Sequence, residues 1–93
     1  MAKFLINKRI PFKYEYEICG YFPDFLIKDS ILIEVVGLEW KPRLEKVRLK
    51  FRELIKLGYE IIVFTYPNMV KYFNDLPVKI VTNLRELNDI LGI

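Results

Sequence analysis

The 93-residue chain has no histidine, no glutamine and a single cysteine, and none of its apolar runs approaches the ~20 residues that a bilayer-spanning helix needs. Each absence excludes a class of chemistry. Without histidine there is no Ser-His-Asp triad, no imidazole metal ligand and no imidazole general base. The lone Cys19 cannot close an internal disulfide. With no histidine to activate it, the thiol reads as a small buried hydrophobe in a reducing compartment rather than as a nucleophile. The opening stretch MAKFLINKRI lacks the layout of a signal peptide, so the expectation is a soluble, cytoplasmic protein without a membrane anchor.

What is present is apolar and charged in unusual measure. Hydrophobic residues make up 53% and charged residues 29%, both above the averages of ordinary domains, which leaves little room for small polar side chains. The Ile/Lys/Glu-rich, glutamine-poor balance resembles that of thermophile proteins. The length predicts one small domain over residues 1–93, and the net charge of +3 is mild.

Periodicity gives an element order. In FKYEYEI, Phe12, Tyr14, Tyr16 and Ile18 alternate with Lys13, Glu15 and Glu17, which predicts a half-buried strand over 12–18. FPDFLI and ILIEVV follow as two richer strands around a turn at Lys28-Asp29-Ser30, completing a three-stranded meander. Leu44, Val47, Phe51, Leu54 and Ile55 fall at helical spacing over 41–57, with Pro42 in the first turn and Gly58 as the stop. YEIIVFT reads as a buried strand parallel to the third, Pro67 to Phe73 as a short helix, and VKIVT as a last strand. Asn83 with Glu86 forms a capping box for a final helix. The order β-β-β-α-β-α-β-α predicts an α/β fold with a mixed sheet.

Two acids stand out inside the apolar strands. Asp24 and Glu34 would each cost several kcal/mol or more if buried without a partner. Either each meets a Lys or Arg or faces solvent, or both bind one Mg²⁺, a hard cation often held by two carboxylates plus waters. The second case requires both side chains on one face. A two-residue turn would put them on opposite faces, whereas a three-residue loop at 28–30 places them opposite each other, about 5 Å apart at Cβ. The three-residue loop is the expectation.

A Pro-Asp pair opening one strand, Glu34-Val35-Val36-Gly37 closing the next, a basic helix and the strand GYEIIVF together resemble the PD-(D/E)xK nuclease superfamily, especially its small branch similar to very-short-patch-repair endonucleases. The resemblance covers roughly Tyr14 to Tyr66. It implies a restriction-endonuclease-like fold, Mg²⁺ or Mn²⁺ bound by Asp24, Glu34 and the main-chain carbonyl of Val35, and hydrolysis of phosphodiester bonds in DNA. The third motif position departs from the pattern: Val36 stands where the family carries Lys or an acid, and it can neither orient a water nor stabilise charge on phosphorus. In the repair-like branch a basic residue stands eight before the Gly of GY, and Lys50 matches it, so Lys50 is the candidate third catalytic residue.

From Arg43 to Lys56 the helix carries six basic residues against Glu45 and Glu53, a net of +4. Arg43, Lys46, Arg48, Lys50 and Arg52 thereby form a candidate cradle for a nucleic-acid backbone. Glu39 and Trp40 are candidates for a further ligand and a base-stacking surface. The family's usual first helix has hardly any room before Phe12, so one sheet face should be under-covered. A second copy could bury it, with Tyr66, Met69, Tyr72 and Phe73 contributing to a homodimer. Two alternatives to a nuclease remain open: an inactive nuclease-fold protein that binds nucleic acid, and a protein-interaction subunit with salt-bridged carboxylates.

Overall fold

The computed structural model describes residues 1–37 and 41–92. A five-stranded sheet in the order β1-β2-β3-β4-β5 forms from Phe12–Tyr14, Phe25–Ile27, Ile31–Val36, Glu60–Thr65 and Lys79–Val81. The first three strands pair antiparallel, and β3, β4 and β5 run parallel, so the sheet is mixed as expected. The helices are α1 (Ala2–Asn7), α2 (Lys41–Lys56) and α3 (Leu84–Leu91), with a 3-10 helix at Pro67–Tyr72.

β3 is covered on both faces, which explains why its sequence is an almost unbroken apolar run. Leu32 and Val36 pack against Leu44, Phe51 and Leu54 of α2. Ile31 and Ile33 pack on the other side with Leu5 of α1 and Leu87 of α3. Glu34 shares the α2 side and is only 4% exposed. Gly58 ends α2 at φ +98°, a conformation that favours a residue without Cβ. At the start of α3, Asn83 accepts a hydrogen bond from the Glu86 N–H. Glu86 reaches back to the Thr82 N–H and hydroxyl, one residue earlier than the reciprocal bond of a capping box.

Three expectations need correction. The first strand stops at Tyr14 instead of Ile18. Glu15 takes a positive φ, and Cys19 and Gly20, both left-handed, turn a small hairpin in which Ile18 and Tyr21 exchange backbone bonds of 2.8 and 2.9 Å. Side-chain alternation carries no sign of a backbone reversal, so the sequence pattern overran it. As a turn residue, Cys19 is exposed rather than buried.

The third correction concerns the first helix. α1 does exist, in six residues without a side-chain cap, too short to show periodicity. With α3 it covers the face expected to be bare, which removes the ground for a covering second copy. Met69 and Phe73 lie in the core of the α2 side, leaving Tyr66 and Tyr72 exposed. Among the described residues, no helix is long and apolar enough to cross a membrane.

Candidate active site

The β2–β3 connection is the three-residue loop. Ile27 pairs with Ile31 and Phe25 with Ile33, and the same register carried one step further sets Asp24 opposite Glu34. Lys28 and Asp29 both adopt positive φ to make the turn, a conformation that Asp tolerates better than Lys. The ladder ends at this step, and the two acids take over its unfilled backbone donors. Asp24 N–H donates to Glu34 Oε1 at 3.2 Å, and Val35 N–H donates to Asp24 Oδ2 at 2.8 Å. Each carboxylate is therefore aimed by a main-chain group of the facing strand.

α2 brings the cation. Lys50 Nζ donates to Glu34 Oε2 at 3.0 Å, with 20% of the lysine side chain and 6% of the glutamate side chain exposed. Arg43 and Val47, two turns and one turn before Lys50, line the same cleft of about 240 Å³ with Asp24 and Glu34. Val35 and Val36 form part of its wall, and Phe22 completes it. Val36 belongs to the α2-side core and gives the cleft an apolar surface.

Burial raises the pKa of Glu34 above its ordinary 4.5. The Lys50 ammonium and its hydrogen bond pull the other way, and the Asp24 carboxylate adds to the rise. Burial thus makes the Glu34 carboxylate hold a proton more tightly than it would in water, and the nearby cation only partly compensates.

The remaining expected cations are distributed unequally. Arg48 is not among the residues lining the cleft. Its guanidinium makes a bidentate pair with Asp75 at 2.7 and 2.6 Å and donates at 2.7 Å to the Tyr72 carbonyl, so it clamps the end of the 3-10 helix and the segment that follows. Arg52 lies close enough to add to the field on Asp75. Lys46 and Arg52 are exposed on α2. Glu39 and Trp40 lie outside the described residues. Among those described, no group of three or more His, Cys, Asp or Glu is placed to hold a metal, so the donors on offer are two carboxylates and main-chain oxygen.

The Arg48 hydrogen bond holds the Asp75 carboxyl down to about 2, from an ordinary 3.8. A depressed carboxylate stabilises the fold above its unfolded pKa and loses that contribution as pH falls through about 2. The Asp75 carboxyl carbon resonance should accordingly titrate near pH 2 in the native protein. In Arg48→Ala its midpoint should return toward 3.8.

Phe22 was missed by the sequence reading, although a signal was present: it lies two residues before Asp24, and residues two apart on extended chain share a face.

No family model matches the chain, and no curated protein matches it. Among solved structures, the catalytic domain of the homing endonuclease I-Bth0305I is similar, with a TM-score of 0.63 at 16% sequence identity, over 98% of this chain and 89% of that one. At that identity the likeness concerns the fold, and the chain has a nuclease-like, restriction-endonuclease-like α/β fold.

Proposed function

We propose that the protein is a small Mg²⁺-dependent endonuclease that hydrolyses phosphodiester bonds of DNA. The observation that carries this reading is the convergence of two carboxylates and an ammonium, from three separate segments of the chain, in one cleft. The donor set fits a hard dication: Mg²⁺ takes oxygen ligands, needs only one or two carboxylates and keeps several waters. The raised proton affinity of Glu34 fits as well, since a cation relieves the same electrostatic burden that a proton would. Asp24, Glu34 and the Val35 carbonyl would hold Mg²⁺, or Mn²⁺ in its place. When bound, the metal supplies Lewis-acid polarisation of the phosphoryl group and acidifies water.

The chain's own residues do the rest. The Lys50 ammonium has three donors, of which one goes to Glu34, leaving the others to steady negative charge on the phosphate. Arg43 at the cleft, with Lys46 and Arg52 on the exposed helix, draws the backbone in. The apolar Val36 contributes no donor and keeps that wall dry. The exposed, unpaired Cys19 suits the reducing cytoplasm.

A second reading has its own support. The 3.0 Å Lys50–Glu34 ion pair satisfies the buried acid internally, as it would in a nuclease-fold protein that binds nucleic acid without cutting it. Incubating supercoiled plasmid with Mg²⁺ or Mn²⁺, with and without chelator, and titrating duplex DNA across salt separates the two. Chelator-sensitive nicking together with a log K against log salt slope of about −3 is the expected result. The same slope without nicking would move the assignment to the binding protein. Weak, salt-insensitive association would end both.

A further inference from the structure

Phe22 is held out into solvent by an anchored backbone. Its side chain is 59% exposed, yet both of its chain neighbours are fixed. On one side, Tyr21 exchanges two backbone bonds with Ile18 and donates its hydroxyl to Glu53 Oε2. On the other, Pro23 is buried and restricts the residue before it to extended backbone. Beyond Pro23, Asp24 has its N–H on Glu34 Oε1 and its carbonyl on the Glu15 N–H at 3.1 Å. The backbone that carries the ring is thereby fixed, so a ligand has only the side-chain torsions left to restrict. It lines the same cleft as Arg43, Lys50 and the acid pair.

We infer that Phe22 is the stacking platform for an unpaired nucleobase next to the phosphodiester held in the cleft, which makes single-stranded or locally unpaired DNA the preferred substrate over continuous duplex. This rests on the nuclease reading of the cleft. A nucleotide is the ligand class that joins an anionic phosphate to a flat aromatic face within one unit, and the cleft offers cations for the first and a ring for the second. In a continuous duplex both faces of every base are covered by its neighbours. Only a base released from the stack can present one to Phe22.

The test uses the full chain in chelator, so that nothing is cut, with a single-stranded oligonucleotide carrying 2-aminopurine and the same strand annealed to its complement. The wild type should quench the single-stranded probe. Phe22→Leu should abolish the quench and weaken single-strand binding roughly 5- to 150-fold, the range for losing one base–aromatic stack. Duplex binding, which depends on the α2 cations, should change by no more than about two-fold. Phe22→Tyr, which keeps the ring, should restore both quench and affinity. Salt-dependent binding of both DNAs by the wild type with Phe22→Leu unchanged on both, or weakened equally on both, would overturn this inference and leave the nuclease reading standing. Binding of neither DNA by the wild type would remove both together.

Discussion

Asp24→Asn should lower metal-dependent cleavage of plasmid DNA by well over ~100-fold, because even the outer hydrogen-bond partners of metal ligands typically change activity by 10–100-fold. The substitution is chosen to spare the fold: the amide oxygen can still accept from the Val35 N–H, which in the native protein donates to Asp24 Oδ2 at 2.8 Å. What is lost is the charge. A thermal melt supplies the second readout. At a Mg²⁺ concentration 100 times its Kd, a ligand that binds only the folded state adds about 2.7 kcal/mol. In a domain of this size each kcal/mol moves Tm by roughly 4–8 °C. Wild-type protein should show such a rise and Asp24→Asn should show almost none. Equal cleavage by the two proteins would trace the activity to a contaminant and sink the assignment.

The second large effect is on stability and depends on pH. Lys50→Met leaves Glu34 ionised and buried without its ammonium, and removing one partner of a buried pair costs about 3 kcal/mol at the lower end of such measurements. Because burial raises the Glu34 pKa above 4.5, the group favours the fold most below that ordinary value, and this advantage is lost as pH rises through the raised native value. Lys50→Met should steepen the loss, so that denaturant melts show a large deficit at pH 8 that shrinks toward pH 4. Glu34→Gln should flatten it, making the protein at least as stable as wild type at pH 8 while abolishing Mg²⁺ binding. In the double variant the deficit should disappear. The Arg48–Asp75 pair does not confound the comparison, since Asp75 titrates near 2, below the whole window. A Lys50→Met deficit of equal size at both pH values would show that the lysine acts through its methylene stem rather than its charge.

The features legible in the sequence were those set by side-chain periodicity. Leu44, Phe51 and Leu54 marked the buried stripe of α2, and the even spacing of Asp24 and Glu34 forced a choice of loop length that the register of β2 against β3 bears out. Lys50 was singled out by the resemblance, which implies a basic residue eight before the Gly of GY, and the structure brings it to Glu34. The features that were not legible depend on backbone conformation or on long-range pairing. The left-handed Glu15, Cys19 and Gly20 cut the first strand short with no change in polarity to announce it. Arg48 and Lys50 border the buried stripe of α2 on opposite sides, and only the chain's return at Asp75 shows that the first is a clamp while the second reaches the cleft. α1 folds because Leu5 finds the pocket between β2, β3 and α3, a contact invisible in six residues of sequence.

The reciprocal bonds between Asp24 and the Glu34–Val35 segment give the two acids a second employment as plugs for dangling amides where the hairpin frays. A descendant that had lost all hydrolytic power would still be weakened by replacing either one with a side chain that has no acceptor oxygen. The Pro-Asp and Glu pair therefore testifies to architecture as much as to chemistry.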